Sequence, residues 1–218
     1  MDPRFAHIRD WIFDLDNCLY PHGSRLFELI DQRMTAYIER LLGVDATEAR
    51  RVQKMHFHGS GTTLAGLMRD HDVDPHHFMG DVHDIPLDRL ARDDRLLAAL
   101  ERLPGRKFIH TNGNAEYAWK VLDRLGIAAT IDHLHDIFAA DLTPKPELHG
   151  YQKLLDQFGI DPTSDEYELV LSTSWPFDAV TGGPDRYLLH ATLIEQPQPY
   201  VNAESSRSMA GISSFSAQ

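Results

Sequence analysis

One short apolar run, "IRDWIF" at residues 8–13, opens the chain, and nothing else reads as a strand until "KFIHT" at 107–111. From Leu26 to Leu103 the apolar residues recur at helical spacing. A lone strand cannot satisfy its own backbone, so the chain must set a helical block aside and return to complete a sheet. After Pro104 and Gly105 the order is strand, helix, strand: "KFIHT", "NAEYAWKVLDRLG", then "HDIFAA". That alternation predicts an α/β fold, with parallel strands covered by helices.

Within the helical block, "LFELIDQRMTAYIERLLG" places Leu26, Ile30, Met34, Tyr37 and Leu41 near one face and stops at Gly43. "DATEARRVQKMHF" restarts with Asp45 or Thr47 as cap, and "TTLAGLMRDH" and "DPHHFMGDVHD" follow as short helices, with Pro75 in a first turn. In the later helix, Ala115, Ala118, Trp119, Leu122 and Leu125 are expected on the buried face, with Asn112 or Asn114 as cap. "HGYQKLLDQFG" reads as a further helix, "YELVLS" and "RYLLHATLI" as further strands. The expected organisation is a Rossmannoid core at 1–20 and 91–195, with helices on both faces of a parallel sheet. An α-helical cap occupies 21–90, inserted after the first strand, and residues 196–218, rich in proline, serine and glutamine, form a flexible C-terminal tail.

Composition narrows the function. With 218 residues and 42% hydrophobic content the chain can bury a real core, and the single cysteine, Cys18, excludes an intramolecular disulfide framework. A reducing compartment, the cytoplasm, is the expectation. No stretch approaches the roughly 20 apolar residues of a membrane span. A formal net charge of -12 repels nucleic-acid backbones and anionic membranes, so neither is an expected partner. A small phosphorylated substrate would need a local positive site or a cation to hold it.

In open parallel sheets, ligands bind beyond the carboxyl ends of the strands. The residues there are Asp14 and Asp16 after the first strand, Thr111, Asn112 and Gly113 after the second, and Lys145 in "DLTPKPE". Extended backbone would turn both aspartates the same way, with Leu15 opposite. Two converging carboxylates repel unless a cation or a shared proton intervenes, and a hard divalent ion such as Mg²⁺ suits both them and a phosphate.

These residues carry a resemblance. "DLDNCLY", "HTNG" and Lys145 in "TPKPE", in that order, resemble the first three motifs of the haloacid dehalogenase-like phosphatases. Trp11 to about Asp161 is similar to their pyrimidine 5′-nucleotidase-like branch, including "LYP", "FHGSGTTLAGL" and "HDIFAADLTPKP". The resemblance implies Asp14 as the nucleophile that forms an aspartyl-phosphate and Asp16 as the general acid/base. It also implies Thr111, Asn112 and Lys145 as phosphate-binding residues, and Mg²⁺ held by the aspartates. The implied activity is Mg²⁺-dependent phosphomonoester hydrolysis, with a nucleoside 5′-monophosphate as the expected substrate.

One motif departs from the family. Where a fourth, acidic motif is expected, "LVLSTSWPFDAV" carries Ser172 and Thr173, and only Asp178, in the following loop, offers a replacement metal ligand. The alternative is therefore a degenerate relative that binds a ligand or protein partner, or one that has re-used its pocket for other chemistry. Cys18 stands where the family has Thr or Val and is expected to pack. His56 and His58 are two apart and point to different sides of a helix, which argues against a structural metal site. With Thr62 and Thr63 they are the cap residues expected to contact the non-phosphate part of a substrate.

Overall fold

The computed structural model describes residues 8–160, 169–175 and 185–191. The expected tail at 196–218 and Asp178 lie outside the described residues. Strands β1 (Asp10–Phe13), β2 (Arg106–His110) and β3 (His133–His135) form a parallel sheet in that order. Asp10 pairs in register with Arg106, and the two side chains form an ion pair at 2.7 Å, so charge as well as ladder bonds sets the β1–β2 alignment. Gly105, just before β2, has φ 77°, and a side chain there would run into the Arg9 backbone.

Side-chain alternation along the strands sorts the helices into two layers. Phe13 and Ile109 pack with α5 (Asp94–Glu101) and α6 (Ala115–Leu125) through Leu100, Val121, Leu122 and Leu125. Ile12 and Phe108 face the other way, against Leu154 and Phe158 of α7 (Leu148–Phe158) and against Ile160. Helices therefore cover both faces of the sheet, the Rossmannoid α/β arrangement. Truncating a fully buried residue such as Leu122 to alanine costs about 2–5 kcal/mol. β4 (Leu169–Trp175) and β5 (Asp185–Ala191) pair with each other in antiparallel fashion.

Between β1 and α5 the chain builds four helices: α1 (Leu26–Leu42), α2 (Ala46–Ser60), α3 (Thr63–His71) and α4 (Pro75–Val82). Their ends follow local chemistry. Gly43 closes α1 at φ 64°, and Asp45, Thr62 and Asp74 cap the next three through bonds to Glu48, Ala65 and His76 N–H. Leu26 and Ile30 of α1 join the sheet-side core, whereas Tyr37 and Ile38 join a second cluster with Val52, Leu67, Phe78 and Val82. α1 thus belongs to both hydrophobic clusters.

Three local expectations change. Leu41 is 39% exposed and Ile38 takes its place in the buried stripe of α1. In α6 the buried residues are Tyr117, Ala118, Val121, Leu122 and Leu125, with Trp119 turned outward. Periodicity fits either face of α6, and the tie is broken by Tyr117, whose hydroxyl finds buried partners. "HDIFAA" contributes only His135 to β3, because Asp136 takes the N–H groups of Ala139 and Ala115 on its carboxylate and turns the chain.

Candidate active site

β1 ends at Phe13; Asp14 follows it directly, and Asp16 opens a turn over 16–19. Cys18 and Leu19 N–H both bond to the Leu15 carbonyl, Asn17 adopts φ 57°, and Leu15 is buried in the core. The turn, anchored by Leu15, is what brings the two carboxylates to the end of the sheet.

Asp14 Oδ1 accepts from Leu15 N–H at 2.7 Å and from Lys145 Nζ at 2.6 Å, and the Cys18 thiol lies 3.5 Å from Oδ2. Cys18 is thus more than a packing residue. The Lys145 ammonium also donates to the His110 carbonyl at 2.8 Å. Among the described residues, the end of β2 and Asp14 supply the partners of Lys145. Asn112 secures it from below, its Oδ1 accepting from Lys145 N–H at 2.8 Å, which makes Asn112 a brace for the lysine loop. Thr111 is 1% exposed, and its Oγ1 accepts from Gly113 N–H at 3.0 Å. It sits behind the loop formed by Asn112 and Gly113, while those two residues line the cavity.

Asp16 Oδ1 accepts from two phenols, Tyr20 at 2.6 Å and Tyr117 at 3.1 Å. Burial pushes the Asp16 carboxyl up, the Tyr20 hydrogen bond opposes that, the negative charge of Asp14 adds to it, and the Tyr117 bond again opposes. Burial lowers two nearby histidines to about 4: His83, whose Nδ1 meets the Met79 carbonyl at 3.1 Å, and His110, which the Lys145 charge lowers further. Both are neutral at pH 7. Tyr20, Tyr117, His83 and His110 escape a motif reading; the one available signal was the spacing of Tyr20 four residues after Asp16.

These groups open onto a cavity of about 1000 Å³, lined by Asp14, Asp16, Asn112 and Lys145 at the sheet and by α1 to α4 opposite. Lys54, His58, Thr62 and Thr63 line the helical side. His56 does not serve there: it is 1% exposed and its ring fills the space beside Gly66, packing α2 on α3. The face of α2 that carries His56 is the one turned into the cap's own core, which spacing alone did not reveal.

A family model for haloacid dehalogenase-like hydrolases matches residues 11–164. The chain belongs to the haloacid dehalogenase-like hydrolases. Among curated relatives of this hydrolase, the yeast (Saccharomyces cerevisiae) Phosphate metabolism protein 8 is 28% identical over 134 residues, 56% of this chain and 41% of that protein. The chain therefore matches less than half of the yeast protein's length. Among solved structures, a phosphatase of the same family from Thermococcus onnurineus is 17% identical, with 71% of this chain and 74% of that chain covered and a TM-score of 0.44. A family hydrolase from Deinococcus radiodurans R1, solved with bound phosphate and sodium, is 24% identical, with coverage of 72% and 70% and a TM-score of 0.38.

The donor set bears on a metal. Among the described residues no group of three or more His, Cys, Asp or Glu side chains is placed to hold one. The tyrosine and lysine hydrogen bonds to the two aspartates fall on Oδ1 of each. That leaves Oδ2 of Asp14 as a hard oxygen donor, which fits Mg²⁺, an ion commonly held by one or two carboxylates plus water and substrate phosphate; Asp16, its Oδ1 taken by two phenols, is kept for proton transfer and not for the metal. Ser172 and Thr173 fall within β4, and Asp178 lies outside the described residues. Among the described residues no helix is long and apolar enough to cross a membrane.

Proposed function

We propose that the chain is a phosphomonoester hydrolase that works through an aspartyl-phosphate on Asp14. The observation that supports this best is Lys145 Nζ seated 2.6 Å from Asp14 Oδ1, with Asp16 held separately two residues on. The ammonium marks where phosphoryl oxygens would be neutralised, and family membership supplies the reaction class. In the first step an Asp14 oxygen bonds to phosphorus, the ester P–O bond breaks, and Asp16 gives its proton to the departing oxygen. In the second, Asp16 takes a proton from water as the water oxygen attacks phosphorus, releasing phosphate and restoring Asp14. Asp14 would hold Mg²⁺, which would supply positive charge to the carboxylate and the phosphoryl group. Lys145 holds the phosphoryl oxygens, and α1 to α4 exclude water above them.

A nucleoside 5′-monophosphate is the substrate we favour. The cavity is at the upper end of the usual size for small-ligand sites, and Phe27 and Phe57 among its lining residues suit an aromatic base. The yeast relative's name, with its reference to phosphate metabolism, agrees in chemistry. One cysteine in 218 residues supports the cytoplasm as the setting. The deciding experiment is phosphate release from a panel of nucleotides and sugar phosphates, with Mg²⁺ and with chelator, against Asp14→Asn. Metal-dependent release lost in the variant is the expected result. A folded wild-type protein that releases phosphate from none of them, with or without metal, defeats the reading and turns attention to ligand or partner binding.

A further inference from the structure

Asp16 ends a column of contacts that begins in the helical insertion. His83, directly after α4, stacks on the Tyr117 ring with centroids 4.5 Å apart and planes 14° from parallel. Tyr117 donates to Asp16 Oδ1 at 3.1 Å, Tyr20 donates to the same oxygen at 2.6 Å, and the two phenol oxygens are 3.3 Å apart. Both rings are buried in the core beneath the turn, Tyr20 at 1% and Tyr117 at 2% exposure. Phenylalanine would fill either place without burying a hydroxyl that needs a partner. Packing therefore does not account for the hydroxyls. Their shared property is one carboxylate oxygen, reached from two sites 97 residues apart in the chain.

We propose that Tyr20 and Tyr117 are positioning residues for Asp16, together occupying Oδ1 so that Oδ2 is the oxygen that carries the proton, with His83 steadying Tyr117 from the insertion. This rests on the acid/base role given to Asp16 under Proposed function. An oxygen that accepts from two phenols has no room for a proton of its own. The proton of Asp16 therefore sits on Oδ2, leaves with the departing ester oxygen as the P–O bond breaks, and is replaced on Oδ2 by one from the attacking water. Both phenols keep their protons throughout.

The test uses Tyr20→Phe, Tyr117→Phe and the double variant on esters that differ in their need for an acid. A 4-nitrophenyl leaving group departs unaided, whereas an alkyl leaving group such as that of glycerol phosphate must be protonated. In the double variant kcat for the alkyl ester is expected to fall about 10- to 100-fold, while kcat for the 4-nitrophenyl ester stays within about threefold and KM for both is little changed. An equal fall for both esters, or no fall for either, overturns the proposal. A second measurement stands apart from turnover: phenolic proton NMR signals shifted downfield by a carboxylate acceptor. Each should vanish in its own Tyr→Phe variant, and both should move upfield in Asp16→Asn. If neither moves, the proposed anchor does not exist. If both move while the wild-type protein hydrolyses no ester, the anchor stands and the phosphatase reading is what fails.

Discussion

The floor and the roof of the cavity are built by opposite means. On the floor, each polar group is tied to the sheet: Lys145 to Asp14 and the His110 carbonyl, Asn112 to the Lys145 backbone, Asp16 to two core tyrosines. On the roof, the polar groups are engaged within the helices. Arg69 pairs with its neighbour Asp70, Thr62 caps α3, and Lys54 stands 3.5 Å from an Asp31 that Gln53 already holds. A floor with several bonds per side chain has one geometry, which suits bond breaking. A roof of separate pairs and apolar side chains can change its ligand without disturbing the chemistry, and here the two are joined by the stack of His83 on Tyr117.

The largest effect that would sharpen this contrast is on the floor. On the proposed mechanism Asp14→Asn should lower phosphate release by about 10⁴-fold or more, because it would remove the nucleophile and its charge together. Lys145→Met should follow at about 10² to 10³-fold, the range of losing one preorganised electrostatic partner. Asp14→Asn weakens one charge-assisted bond, worth about 2 kcal/mol, and Lys145→Met removes that bond together with the one to the His110 carbonyl, so thermal unfolding should remain cooperative with a lowered midpoint, lower for Lys145→Met. Steady-state kinetics paired with calorimetry check both. If Lys145→Met keeps full turnover, the floor is not the electrostatic centre it is taken for.

His110 extends the contrast to stability. Its ring lies between Tyr151 at 4.8 Å and His135 at 5.2 Å, buried, with folded pKa about 4 against 6.5 in the unfolded chain. Below 6.5 the unfolded chain binds a proton that the folded one refuses, so stability is full above that value and falls as pH drops towards 4. The loss from this group is about 3 kcal/mol at the lower end. Denaturant unfolding between pH 7 and 4 measures it, and His110→Phe should flatten the slope while leaving a ring in the same space. An unaltered slope would show that other buried groups dominate acid unfolding.

What could be read from sequence follows the same division. Asp14, Asp16, Asn112 and Lys145 were legible because each follows a short apolar run, and strand ends in a parallel sheet converge. The helix stop at Gly43, the first-turn place of Pro75 and Asp45 as one of two cap candidates were legible because capping is a local event. The tyrosine anchor was not, since Tyr117 meets Asp16 across 101 positions, and in α6 the same periodicity allows Trp119 or Tyr117 to face inward. Asp136 was missed for a related reason: a strand-like stretch was ended by a side chain that captured two N–H groups. His56 and His58, two residues apart, separated into a core position and a cavity position only when α3 packed on α2.

The smallest predicted effect belongs to the roof and tests whether it is as separable as its bonding implies. Phe57 lines the cavity and is 49% exposed, so truncating it removes ring contact with little loss of core. Phe57→Ala should raise KM about tenfold for a substrate with an aromatic group, the worth of one apolar or stacking contact, and leave KM for an alkyl phosphate nearly unchanged. kcat should hold within about threefold for both, because the floor's hydrogen bonds do not pass through α2. His83→Leu supplies the contrast, since it removes the ring that rests on Tyr117 and should lower kcat for the alkyl ester more than it raises KM. If Phe57→Ala instead depresses kcat for every substrate alike, roof and floor move as one body, and the division between binding and chemistry at this site has to be redrawn.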